Sequence, residues 1–149
     1  MNEIIRIATR RDAAQITALN KRYFHEAGRD WIALIAGRSS DMIVLQLGKR
    51  IIGFTGLQIS SWNNSARVID IFVHPKYRKR GYGAQLLAFI LKRAKKYHVR
   101  TVMAEAPSLN PVLNLYLKCK FRICGYNDRY YSNSNKEMAI FLSFDLTNK

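Results

Sequence analysis

The residues whose types and spacing could do chemistry lie close together, between Ile69 and Leu87. The run Ile69-Asp70-Ile71-Phe72-Val73-His74-Pro75-Lys76-Tyr77-Arg78-Lys79-Arg80-Gly81-Tyr82-Gly83-Ala84 reads as strand, basic glycine turn, helix. The first backbone N–H groups of a helix have no partner within it, and the aligned peptide dipoles leave about half a positive charge there, so an anion can bind. Gly81 and Gly83 carry no side chain to hold a phosphate away from those amides, and Lys76, Arg78, Lys79 and Arg80 add mobile positive charge around the same point. Other phosphate motifs fit less well: Ala84-Gln85 stands where a P-loop needs lysine and a hydroxyl residue, and Leu86 where a dinucleotide fingerprint needs a small one. Asp70, inside an otherwise apolar strand, is either a candidate general base or the partner in a structural hydrogen bond.

The elements that must position this turn follow from periodicity. Alternation over Glu3 to Thr9 predicts a first strand, and Ala14, Ile16, Leu19 and Phe24 fall at helical spacing within Arg11 to Phe24. A short helix is expected over Trp31 to Ile35, then β-rich runs Met42 to Leu47 and Ile51 to Ile59, joined as a hairpin at Gly48-Lys49-Arg50. Arg67 to Val73 reads as a largely buried strand that His74-Pro75 ends, since proline cannot donate a ladder hydrogen bond. From Gly83 a long helix packs Leu86, Leu87, Ile90, Leu91, Ala94 and Tyr97 inward and leaves Lys92, Arg93, Lys95 and Lys96 solvated. Strands over Thr101 to Ala106, Phe121 to Tyr126 and Met138 to Leu146, with a short helix over Pro111 to Lys118, complete a mixed α/β sheet.

Composition limits the partners. A formal charge of +15, from 25 Lys plus Arg against 10 Asp plus Glu, favours anionic ones, and charge alone does not choose among a polyphosphate cofactor, nucleic acid, a ribosome and an acidic membrane surface. The apolar runs are far shorter than the roughly 20 residues of a membrane span, and the N-terminus does not read as a secretory signal, so a cytoplasmic protein of one domain, 1–149, with no membrane role is expected. Cys119 and Cys124 are expected to be structural thiols, and His25, His74 and His98 lie too far apart in sequence to suggest a metal site.

The pattern Arg78-Lys79-Arg80-Gly81-Tyr82-Gly83, preceded by Val73-His74-Pro75 and followed by Leu86-Leu87, resembles the GNAT superfamily of N-acetyltransferases, and most of all members that acetylate ribosomal-protein α-amines. The resemblance implies an α/β (α+β) fold, with a mixed, mostly antiparallel sheet of about six to seven strands flanked by about four helices. It implies acetyl-CoA as cofactor, held by Ile71, Phe72, Val73, Arg78, Lys79, Arg80, Gly81, Tyr82, Gly83, Ala84, Asn110 and Tyr116. It also singles out Glu105, Asn110 and the run Leu115-Tyr116-Leu117-Lys118-Cys119-Lys120-Phe121, in which Lys120 stands where the family usually has glycine.

Within that resemblance Glu105 is the preferred base, directly or through water, with Asp70 as the competitor. An amine attacks only when neutral, and an unperturbed lysine at neutral pH is charged in all but about one molecule in a thousand. Tyr116 would face the leaving sulfur as a hydrogen-bond donor, and a backbone N–H near Phe72 or Val73 would meet the carbonyl oxygen. Tyr130-Tyr131, the Ser132 to Asn135 loop and Glu137 to Ile140 resemble the substrate end of ribosomal-protein Nα-acetyltransferases, while Tyr23, Phe24 and Trp31 would build the other substrate wall. The expected reaction is direct acetyl transfer to a primary amine, preferably a protein N-terminus or lysine. Alternatives are a polyamine or antibiotic acceptor, which the net positive charge would repel, and a non-catalytic CoA- or nucleic-acid-binding module suggested by the basic residues between 92 and 100.

Overall fold

A computed structural model describes residues 2–24, 29–134 and 136–147; His25 and Asn135 fall outside the described residues. The strands are β1 (Glu3–Ile7), β2 (Ser40–Leu47), β3 (Arg50–Ser60), β4 (Ser65–Val73), β5 (Thr101–Pro107), β6 (Arg122–Asn127) and β7 (Ala139–Asp145). The α-helices are α1 (Ala13–Phe24), α2 (Trp31–Ala36), α3 (Tyr82–Lys96) and α4 (Val112–Lys118). The strands form one seven-stranded sheet in the order β1-β2-β3-β4-β5-β7-β6. Every neighbouring pair is antiparallel except β4 and β5.

Side-chain alternation along the strands builds a core on each face of the sheet. On one face Ile43, Leu45, Ile52, Leu57, Ala66 and Val68 pack with Leu86, Leu87, Ile90 and Ala94 of α3. On the other, Met42, Val44, Ile51, Phe54 and Phe72 pack with Ile16 of α1 and Trp31 of α2. The helical stripe read from the sequence is the buried face of α3, with an adjustment at its end. Arg93 is drawn out of the solvated set by an ion pair to Asp41 at 2.7 Å, and Tyr97 donates its hydroxyl to the same carboxylate at 2.9 Å. The β2–β3 hairpin turns on Gly48-Lys49, with Leu47 opposite Arg50 and Gly48 at φ 59°, a conformation glycine takes without steric cost.

Two features depart from the sequence reading. The first helix is preceded by a 3₁₀ turn, Arg10–Asp12, in which Asp12 accepts the Thr9 N–H and pairs with Arg6 at 2.7 Å. More consequentially, β4 is not one uninterrupted buried strand. The ladder to β3 shifts between Thr55 and Gly56, leaving Asp70 as an extra residue at φ 48°. The bulge reverses the alternation: Ala66 and Val68 face α3 before it, and Ile71 and Val73 pack toward that same core after it. Thr55 donates its hydroxyl to the Asp70 carbonyl at 2.7 Å, so the bulge is stitched to its neighbour.

Candidate active site

The glycine turn after β4 has the geometry of an anion cradle. The α3 ladder begins with the bond from the Gln85 N–H to the Gly81 carbonyl at 3.1 Å, so the N–H groups of Tyr82, Gly83 and Ala84 precede it. Lys79 and Gly81 adopt left-handed conformations, φ 60° and 84°, which curl this basic segment into a turn. A Cβ placed on Gly81 would meet nothing within 4 Å, so the approach to these amides is open. Gly83 serves a different end: its Cβ would lie 2.8 Å from Leu115 Cδ2, and its absence lets α3 sit close against α4. Arg78 is anchored as well as charged, with its Nε donating to the Val73 carbonyl at 2.8 Å.

Beyond this turn the sheet opens. β4 and β5 are paired only from Ser65–Thr101 to Arg67–Met103, although β4 continues to Val73 and β5 to Pro107. On β4 the His74 N–H bonds back to Ile52, and the Phe72 carbonyl faces the Cα of Gly53. By the strand's alternation, the backbone groups of Ile71 and Val73 therefore point into the opening. Phe72 does not join them, because its ring is buried in the α1–α2 core.

Glu105 sits on the α1–α2 face of β5, since Ala104 and Ala106 occupy the opposite core. Its carboxylate pairs with Arg67 at 3.1 Å, and the Arg67 guanidinium also reaches the Tyr130 hydroxyl at 3.4 Å. Burial would lower the Arg67 pKa, yet Glu105 and Tyr130 together raise it, so the guanidinium stays charged. The Tyr130 pKa is raised, first by its hydrogen bond to Glu105 and then by burial; that of Tyr131 is pushed up to about 12 by burial, with Glu105 nearby. The two tyrosine rings meet edge to face at 5.0 Å.

Tyr116 belongs to the core on the other face of the sheet. It is 3% exposed, packed against Phe121 on the α3 side, and its pKa is driven well above that of a free phenol, by burial first and then by the carboxylates of Asp70 and Glu105. Asp70, at the bulge, pairs with Arg29 at 2.9 Å. Tyr116 on one face and Glu105 on the other thus share an electrostatic environment where β4 and β5 part.

A model of the GNAT acetyltransferase family matches residues 3–121. The chain belongs to the GNAT family. Streptothricin acetyltransferase A of Bacillus subtilis is 36% identical over 85 residues, covering 55% of this chain and 49% of that protein. The streptothricin acetyltransferase of Streptomyces lavendulae is 28% identical over 94 residues, 61% of this chain and 50% of the other. The chain spans about half the length of these curated relatives. Among solved structures, a protein described as a streptothricin acetyltransferase of Bacillus anthracis, in complex with acetyl coenzyme A, superposes with a TM-score of 0.85 at 26% identity, over 99% of this chain and 100% of that one. The ribosomal-protein-S18-alanine N-acetyltransferase of Escherichia coli shares the fold, with a TM-score of 0.85 at 20% identity over 99% and 96% of the two chains.

Acetyl-CoA is the cofactor of GNAT acetyltransferases, and the chain has features that fit it: the open amides after Gly81, the flanking cations, and the backbone groups of Ile71 and Val73 facing the cleft. Asn110 is engaged elsewhere. Its side-chain oxygen accepts the Val112 N–H at 2.9 Å, just ahead of the Pro111 cap of α4. Lys120, at the usual GNAT glycine, takes φ 71°; its N–H bonds the Leu117 carbonyl and the Phe121 N–H that of Tyr116, the Schellman ending in which glycine is the favoured residue.

The predicted substrate walls are brought to the same face as Glu105. Tyr23 lies 5.3 Å from the Phe72 ring and meets His74 Nε2 at 3.0 Å, while Phe24 lies 5.6 Å from Phe72. Trp31, in contrast, is a core residue, 2% exposed. Arg29 and Arg67 escaped the sequence reading because their partners are 41 and 38 positions away, at a bulge and across a strand, and nothing local marks them. Among the described residues no group of His, Cys, Asp and Glu is arranged to hold a metal ion, and no helix is long and apolar enough to cross a membrane.

Proposed function

We propose that the protein transfers the acetyl group of acetyl-CoA to a primary amine of a small cationic molecule of the streptothricin kind, by direct attack with both substrates bound. The observation that carries the reading is the opening between β4 and β5, with the Glu105 carboxylate on one face of the sheet and Tyr116 buried on the other. Bound acetyl-CoA supplies a thioester whose C–S bond breaks as the new C–N bond forms. The chain's residues do the rest. Gly81 to Ala84 hold the diphosphate, and the Ile71 and Val73 backbone aligns the arm that follows it. Glu105, directly or through water, takes a proton from the bound ammonium, so that the neutral amine attacks the thioester carbonyl. Tyr116 keeps its own proton, because burial raises its pKa further above that of a thiol; it stabilises the departing thiolate as a hydrogen-bond donor rather than as a full acid. Cys119 and Cys124 have no place in this scheme, and burial pushes the Cys119 thiol up, away from the reactive thiolate.

The acceptor class rests on the named relatives and on local charge. A net charge of +15 repels a polycation at long range, which adds mildly to the resemblance to ribosomal-protein Nα-acetyltransferases in favouring a protein N-terminus or lysine on sequence grounds. Long-range repulsion is screened over about 8 Å at physiological salt, whereas Asp70, Glu105 and Glu137 all act on the tyrosines around the opening. A peptide acceptor is the second reading, favoured by the exposed Tyr130–Tyr131 pair beside Glu105.

Incubation with acetyl-CoA and a pool of streptothricin, simple diamines and N-terminal peptides, followed by mass spectrometry, separates the readings. Acetylated streptothricin or diamine is expected. Acetylated peptides alone would favour the second reading, and no product with any amine would defeat both.

A further inference from the structure

Resting on the reading above, we infer that Asp70 is a specificity subsite for a second positive group of the acceptor, and that Arg29 occupies that subsite in the free protein. Asp70 is the extra residue of the β4 bulge, at φ 48°, and its carboxylate lies beside the cleft, acting on the Tyr116 hydroxyl. Counted from Arg67, the last rung paired to β5, it stands about 10 Å along the strand, while Glu105 stands about 7 Å beyond Met103 on the facing strand. The two acidic residues therefore stand on the two strands that border the opening, one suited to the reacting amine and one to a cation elsewhere on the same molecule.

Arg29 meets Asp70 twice, Nε to Oδ2 at 2.9 Å and Nη2 to Oδ1 at 3.3 Å. It stands just ahead of α2, and its side chain remains 44% exposed against 24% for that of Asp70. Pairs this exposed are held weakly, so an incoming ammonium or guanidinium can take the place of Arg29 without leaving a carboxylate bare. Removal of Asp70 weakens a dicationic acceptor more than a monocationic one. Removal of Arg29 does the reverse, because the acceptor no longer competes with it.

The test compares kcat/KM for 1,5-diaminopentane and 1-aminopentane in the full chain and in Asp70→Asn and Arg29→Gln. Asparagine tolerates the left-handed conformation, so the bulge survives the exchange. The diamine-to-monoamine ratio is expected to fall about five- to tenfold in Asp70→Asn, through KM, and to rise by a smaller factor in Arg29→Gln, the scale of one half-exposed charge pair. An unchanged ratio in both variants overturns the subsite while leaving acetyl transfer standing. Equal loss of kcat for both amines in Asp70→Asn also overturns it and makes Asp70 a base. No turnover of any amine by the wild type counts against the subsite and the proposed function together.

Discussion

From the last paired rung of β4 and β5, Arg67 reaches forward to Glu105, two residues beyond its rung partner Met103, guanidinium to carboxylate at 3.1 Å, where the two strands begin to separate. The pair fixes the side chain proposed as the base at the apex of the cleft, and Tyr130 closes the same network. Removing the carboxylate while keeping its shape isolates its chemical role. Glu105→Gln is expected to lower kcat/KM by about a hundredfold or more at neutral pH, the usual worth of a positioned base. Circular dichroism and CoA affinity should stay close to wild type. Activity within a fewfold of wild type assigns proton removal elsewhere.

Tyr116→Phe keeps the buried ring and its packing on Phe121 but deletes the donor. We expect a loss in kcat of about tenfold to a few hundredfold, on the scale of one oxyanion-type hydrogen bond, with a melting temperature within a few degrees of wild type. Steady-state kinetics with saturating acetyl-CoA reads it. A variant that loses CoA affinity instead of kcat would make the hydroxyl a binding group.

The ending of α4 yields a stability prediction. Lys120 holds φ 71° at the position after the helix cap, where a side chain costs about 1 kcal/mol relative to glycine. Lys120→Gly should therefore raise the midpoint of chemical denaturation by the equivalent of about 0.5–1 kcal/mol, less whatever entropy the more flexible unfolded chain regains. A drop in stability would mean that Lys120 contributes contacts outweighing its backbone strain.

Direct attack makes both thiols dispensable. Cys119→Ala with Cys124→Ser is expected to retain turnover within a fewfold, because Cys124 is exposed at an edge strand and Cys119 is partly buried with a raised pKa. Single-turnover kinetics showing a loss of orders of magnitude would require an acyl-thiol intermediate.

Much of this architecture was legible in the residues. The 3.6-residue period of Leu86, Leu87, Ile90 and Ala94 located the buried face of α3, and the basic glycine turn located its entrance, because both signals are local. The departure of Lys120 from glycine was visible too, but its left-handed backbone was not. What the sequence concealed depends on register and on distant partners. Asp70 read as a residue within a strand, since a bulge needs the facing Thr55-Gly56 to define it. Gly83 read as a phosphate contact, and the sequence did not show that its missing Cβ also makes room for Leu115, thirty-two positions on. Asn110 read as a cofactor ligand, and the sequence did not show that its side-chain oxygen is taken by the Val112 N–H at the start of α4. Arg29 and Arg67 carried no local signal at all.

The central claim, that the entrance of α3 grips the diphosphate of the cofactor, is tested most directly by calorimetric titration of CoA into the wild type, Gly81→Asp and Gly83→Ala. Gly81 opens on free space, so an aspartate there sets a negative charge against the anion; affinity should fall by more than tenfold, or about 1.4 kcal/mol. Gly83→Ala acts chiefly on Leu115 and should lower the melting temperature more than it lowers affinity. Equal CoA affinity in wild type and Gly81→Asp, or no CoA binding by the wild type, would contradict the account.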